Sequence, residues 1–199
     1  MTSVSLSKNQ TVSLTKQSGA TLTKLDFGLG WDPAKKKTGL FGGLFGGGGS
    51  DDIDLDASVV TFDARGTRLD TVWFRQKTSK CGSIKHSGDN LTGEGDGDDE
   101  SIYVDLTKLP SNVEYLCFTV NSFRGQTFNE VENAFCRVLD QSGKELAKFL
   151  LTDQGNHTGI LIASLRRKGG DWAFTAHGLA CRGGTIDAMI DQITAAVIQ

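Results

Sequence analysis

Apolar and polar residues alternate with a period of two along most of this chain, and the alternating runs are short. They are VSLS (4–7), TVSLT (11–15), TLTKLDFGLGW (21–31), IDLDASVVTF (53–62), TVWFR (71–75), SIYVDLT (101–107), EYLCFTV (114–120), FCRVLD (135–140), KELAKFLLT (144–152), GILIASLRR (159–167) and DWAFTAH (171–177). Alternation of this kind puts successive side chains on opposite faces of a strand, one toward a core and one toward solvent. The tetrapeptides DARG (63–66) and DQSG (140–143) separate neighbouring runs and carry hairpin-turn residues. About ten short strands joined by polar turns predict a mainly β fold, an antiparallel β-sandwich. Two stretches break the period. Thr127 and Glu130 have capping-box spacing ahead of Val131, Ala134 and Phe135, which predicts a short helix near 127–135. Ile186, Met189, Ile190, Ile193 and Val197 form one apolar stripe at helical spacing, a C-terminal helix expected to dock on the sandwich.

The 199 residues suffice for a buried core and read as one domain, 1–199, interrupted by a glycine-rich insertion. Residues 34–50, AKKKTGLFGGLFGGGGS, hold seven glycines in seventeen positions. A segment so poor in side chains is expected to be a flexible loop. Its repeated Leu-Phe pair either grips a partner or a membrane, or covers neighbouring apolar surface. It lacks both GxGxxG and the Walker spacing, so it is no nucleotide loop. No run of about 18 apolar residues and no basic-then-apolar leader occurs, which gives the expectation of a cytoplasmic protein without a transmembrane segment. The four cysteines, at 81, 117, 136 and 181, lack CxxC spacing and are expected as buried thiols rather than disulfide or zinc partners.

The net charge of −3 is unevenly distributed: setting aside nine acids at 32, 54, 56, 89, 94, 96, 98, 99 and 100 leaves the remainder at +6. A local anionic patch points to cations and gives no reason to expect nucleic acid as a partner. Six of those acids fall within residues 89–100, without a Lys or Arg among them, and glycines at 88, 93, 95 and 97 let the backbone curl so that its carbonyls converge. Carboxylates, an Asn side chain and backbone carbonyls are the oxygen donors that calcium takes in sets of six to eight. Magnesium keeps more of its waters, and zinc or copper would want the His and Cys ligands that are scattered here. An EF-hand is excluded, because its third, fifth and sixth positions would be Leu91, Gly93 and Glu94. In IDLDAS, alternation places Asp54 and Asp56 on one face, where they either share a cation or form a solvated outer face. An alternative function for the same acids is a metal-dependent phosphohydrolase, with His86 as the histidine beside the loop.

VSLSK near the start, LDFGLGWD (25–32), DLDASVV (54–60), HSGDNLTGEGDGDDE (86–100), GQTFNEVENAFCRV (125–138) and DWAFTAHG (171–178) together resemble the TerD family of tellurium-resistance and stress proteins. The insertion at 34–50 resembles the longer paralogues of that family. The resemblance implies a calcium-binding β-sandwich carrying one or two Ca2+ ions. The expected ligands are Asp32, Asp54, Asp56, Asp89, Asn90, Asp98, Asp99 and Glu100, with Gly93 and Gly95 in the loop that carries them. It further implies a bacterial, cytoplasmic stress-response protein that acts with other tellurium-resistance proteins, including a membrane-embedded partner; it implies no reaction, and a non-catalytic binding module is the expectation.

Overall fold

The computed structural model describes residues 3–33, 55–88, 97–122, 125–151 and 155–198. The N-terminal strands are β1 (Val4–Leu6), β2 (Thr11–Ser13) and, after the short helix α1 (Leu14–Ser18), β3 (Lys24–Pro33). Then come β4 (Leu55–Phe62), β5 (Arg68–Val72), β6 (Ile84–His86), β7 (Glu100–Asp105) and β8 (Tyr115–Ser122). The last part holds β9 (Val131–Asp140), β10 (Glu145–Leu150), β11 (Gly159–Lys168), β12 (Asp171–Cys181) and helix α2 (Ile186–Val197). Two six-stranded sheets result, ordered β1-β10-β9-β3-β7-β6 and β2-β12-β11-β8-β4-β5. All pairings are antiparallel except β1 with β10, which is parallel. The two hairpin turns form where expected, closed by Gly66 and Gly143 at positive φ and by the Asp63 and Asp140 carboxylates accepting from backbone amides two and four residues on.

The alternation in β3 shows how the sheets meet. Leu25, Phe27, Leu29 and Trp31 are each at most 3% exposed and point between the sheets, where Phe27 stacks on Phe118 of β8 with ring centroids 4.0 Å apart. The opposite side of the second sheet is also covered: Ile186, Met189 and Ile193 of α2 pack on Val60, Tyr115, Cys117, Leu161 and Cys181. The C-terminal stripe is therefore a docked face, as its spacing predicts. Among the described residues, no helix is long and apolar enough to cross a membrane.

Two expectations need correction, and two short elements are additions. The helix near 127–135 shrinks to one 3₁₀ turn, Phe128–Glu130; the capping box is real, with the Thr127 amide donating to Glu130 Oε1 at 3.1 Å. From Val131 onward the chain is strand, because Val131, Ala134, Cys136 and Val138 find buried places in the first sheet. α1 and β6 are not visible as periodic runs, being too short for a pattern to register. Cys81 is exposed, whereas Cys117, Cys136 and Cys181 are buried; all four are free thiols.

One contact ties the N-terminal segment to the sandwich and gives a pH-dependent expectation. Asp171 at the start of β12 accepts from the Ser13 hydroxyl (2.5 Å), the Trp172 amide (2.6 Å) and the Thr15 amide (3.3 Å). Burial opposes ionisation of this carboxyl, but the hydrogen bonds from Ser13, Thr15 and Trp172 outweigh it and hold the pKa below the ordinary aspartate value. A lowered folded-state pKa stabilises above the unfolded value, and that stabilisation disappears as pH falls through the folded one. Denaturant midpoints at pH 6 and pH 3 are therefore expected to differ more in wild type than in Asp171→Asn. Equal differences would remove Asp171 as a cause of acid lability.

Candidate metal site at the end of the sandwich

β3 carries an unusual outer face. Opposite its four core residues stand Asp26, Gly28, Gly30 and Asp32, so two of the four outward positions have no side chain. The reason is the acidic stretch that returns to the sheet at residues 97–100. A Cβ on Gly28 would lie 2.2 Å from Asp98 Oδ2, and one on Gly30 would lie 2.6 Å from the Gly97 carbonyl and from the Phe135 ring. The returning backbone is fixed there, with the Asp99 amide donating to the Leu29 carbonyl at 2.8 Å and the Trp31 amide donating to Asp99 Oδ2 at 2.8 Å.

Asp98 thus lies flat over Gly28, with its side chain 12% exposed, and Arg137 of β9 receives it. Arg137 is the register neighbour of Gly28. Its Nε reaches Oδ1 at 2.9 Å and Oδ2 at 3.1 Å, and Nη2 reaches Oδ2 at 3.0 Å. Asp32 is exposed and accepts from Asn133 Nδ2 at 2.8 Å. Burial raises the Asp99 pKa, the Trp31 amide works against that, and the charges of Asp32 and Asp98 raise it further. Asp26 is raised in the same way, first by burial and then by Asp98, against the Ser101 hydroxyl and Arg137.

Glu100 has a different situation. It is 1% exposed, and its Oε2 accepts from the Ala57 amide of β4 at 2.7 Å. His86 Nε2 lies 3.1 Å from the Ala57 carbonyl and 3.4 Å from the same Glu100 oxygen. Because Nδ1 accepts from the Gly88 amide at 3.1 Å, Nε2 carries the proton. β5 pairs with β4 only from Val59 onward, so Ala57 lies past the end of that ladder. Two side chains from the first sheet take the place of the missing strand and join the sheets.

The sequence-derived ligands therefore divide. Asp98 lies over Gly28 in the middle of β3, Asp99 lies beside Trp31 within the influence of the Asp32 and Asp98 charges, Glu100 is built into the inter-sheet clamp, and Asp56 is buried on β4 opposite Asn121, with its neighbours Leu55 and Ala57 in the core. Asp54, Asp89, Asn90, Gly93 and Gly95 lie outside the described residues. Among the described residues alone, no three His, Cys, Asp or Glu side chains stand in metal-holding geometry. The donors along this face, Asp32, Asp98, Asp99 and the Gly97 carbonyl, are all oxygens, the donor type that a hard cation takes. Arg137 and the two strand glycines are the site residues that motif reading missed. The signal for the glycines was present, since glycine alternating with apolar residues on a strand marks close approach of another backbone.

Residues 1–192 match the TerD domain. The chain is 67% identical to the tellurium resistance protein TerZ of Serratia marcescens over 196 residues, covering 98% of this chain and 100% of that protein. It is 43% identical to the stress response protein SCP2 of Bacillus subtilis (strain 168) over 199 residues, covering 96% of each. Among solved structures, a Streptomyces coelicolor homologue of telluride resistance protein (TerD) superposes with a TM-score of 0.65 at 22% identity, covering 83% of this chain and 94% of that one, a likeness of fold. With its two packed sheets and a domain match over nearly its whole length, the chain belongs to the TerD-domain family of tellurium-resistance and stress-response proteins.

Proposed function

We propose that this protein is a calcium-binding, non-catalytic module of the cytoplasmic stress response, contributing to tolerance of tellurite and other toxic agents by binding partner proteins, a membrane-embedded one among them. The observation that carries the calcium reading is the seat of Asp98. Two outward positions of β3 are given up to glycine so that a carboxylate and a backbone carbonyl can lie against the strand beside Asp99 and Asp32. Arg137 offsets one of these charges, and the crowding that remains opposes folding unless a further cation neutralises it. Asp32, Asp98 and Asp99 would contribute to holding it, with Asp89, Asn90, Gly93 and Gly95 as the further ligands expected from the sequence; calcium supplies charge neutralisation there. The phosphohydrolase alternative requires a general base near the acids, and His86 is buried with both ring nitrogens engaged.

Calorimetric titration of chelated protein tests this reading. Calcium is expected to give a saturable heat at micromolar to millimolar concentration, stronger than that of equal magnesium and reduced in Asp98→Asn. No heat from calcium would refute the reading, and manganese-dependent phosphatase turnover lost in the same variant would replace it with the hydrolase.

A further inference from the structure

Residues 71–85, TVWFRQKTSKCGSIK, carry four basic side chains and no acid in a chain of net charge −3. They lead from β5, the outermost strand of the second sheet, to β6, the outermost strand of the first, and so close one edge of the sandwich. Backbone hydrogen bonds fix this connection. Trp73 and Gln76 exchange a pair at 3.2 and 3.0 Å, the His86 amide donates to the Lys77 carbonyl at 2.9 Å, and the Ser79 amide donates to the Ile84 carbonyl at 2.9 Å. The carboxylate that precedes the stretch, Asp70, is taken up by the same connection: Oδ1 accepts from the Thr71 amide and from Gln76 Nε2 at 2.9 Å, and Oδ2 accepts from the Lys80 amide at 2.7 Å. The outward side chains are cationic and aromatic. Arg75, Lys77, Lys80 and Lys85 are exposed, and among the described residues no carboxylate stands within ion-pair distance of Lys77, Lys80 or Lys85. Trp73 and Phe74 are partly buried and meet edge to face at 4.9 Å, with the Arg75 guanidinium 5.6 and 5.3 Å from their rings. Lys85 is the register neighbour of Tyr103, which is 46% exposed.

We propose that this edge docks on an anionic lipid surface, with Lys77, Lys80 and Lys85 facing the headgroup phosphates and Trp73 and Phe74 reaching the headgroup layer. Lysines beside Trp, Phe and Tyr are the composition that a lipid–water interface favours, since the ammoniums meet anionic headgroups and the rings have one apolar and one polar side. Two observations favour lipid over nucleic acid. Arg75 already stacks on the rings that unpaired bases would need. The other cations are lysines, point charges that suit a diffuse array of phosphates better than bidentate recognition of one group. The docking requires no calcium and goes beyond the calcium reading; it holds the protein at the surface in which a membrane-embedded partner lies.

Sedimentation of the full chain in chelator, with vesicles of phosphatidylcholine alone or mixed with an equal part of phosphatidylglycerol, tests the docking. Binding is expected only to the anionic vesicles and is expected to fall steeply as salt is raised. Lys77→Gln/Lys80→Gln/Lys85→Gln is expected to weaken it about a hundredfold, at about fivefold for each basic residue near an anionic surface. Lys16→Gln/Lys168→Gln/Arg182→Gln removes the same charge from exposed positions elsewhere and is expected to change binding less than about twofold. Trp31 and Trp172 are 2% and 5% exposed, so a blue shift of tryptophan emission on anionic vesicles reports Trp73, and it is expected in wild type and absent in Trp73→Phe. Wild type left in the supernatant with anionic vesicles, equal weakening in the two triple variants, or an emission that does not move would overturn the docking. Tighter binding to a single-stranded oligonucleotide or to polyglutamate than to vesicles, lost in Lys77→Gln/Lys80→Gln/Lys85→Gln, would also overturn it and assign the edge to that partner. None of these results alters the heat expected from calcium, so failure here is distinct from failure of the calcium reading.

Discussion

Glu100→Ala is expected to destabilise the protein by about 3–5 kcal/mol even in chelator, because it breaks a buried charged contact and leaves its partners inside. The residue is 1% exposed, and its removal strands the Ala57 amide at the junction of the two sheets and leaves His86 Nε2 with the Ala57 carbonyl alone. Neither group can turn to water: His86 is 6% exposed and Ala57 3%. Glu100→Gln keeps an acceptor oxygen for the Ala57 amide and loses only the charge, so a smaller loss of about 1–2 kcal/mol is expected. Chemical denaturation in chelator separates this structural role from any part in cation binding. A loss below about 1 kcal/mol in Glu100→Ala would show that the clamp is not what joins the sheets at this end.

Calcium at a hundredfold excess over Kd is expected to stabilise wild type by about 2.7 kcal/mol, since a ligand confined to the native state shifts unfolding by mass action. For a domain of this size that corresponds to a rise in Tm of roughly 5–10 °C. Gly28→Ala is expected to abolish the rise while leaving the melting temperature in chelator close to that of wild type. The new methyl would meet the Asp98 carboxylate at 2.2 Å and force it out of the grip of Arg137, which costs about 1 kcal/mol for one partly exposed ion pair, so the strand survives and the seat does not. Gly30→Ala is the contrasting case. Its methyl would meet the Gly97 carbonyl and the Phe135 ring at 2.6 Å, so backbone must move and stability is expected to fall with or without calcium. If Gly28→Ala kept the full calcium response, the Asp98 seat would not be where the cation is held.

The sandwich was legible because its cause is local. Strand alternation such as Leu25-Phe27-Leu29-Trp31, turns such as DARG and DQSG, and the stripe Ile186-Met189-Ile193 each declare their own conformation and their own buried face, and the fold assembles those faces. The short elements and the stretch after Thr127 were not legible. A capping box starts a helical turn wherever it occurs, but only the vacancy beside β3 and β10 decides that Val131, Ala134 and Cys136 continue as strand.

The same division runs through the candidate site. The sequence by itself determined that a dense run of carboxylates on a glycine frame exists, from which a cation is the expectation, because charge and donor type are properties of residues. Which carboxylates stand together was decided by tertiary structure alone. Asp98 and Glu100, two residues apart, end in opposite roles: one is laid over Gly28 and gripped by Arg137 from 39 positions away, and the other is buried as the cap of an unfinished strand on the facing sheet. No spacing rule carries that information, since it depends on where β5 stops pairing with β4 and on the returning chain settling over the two outward glycines of β3 beside Arg137.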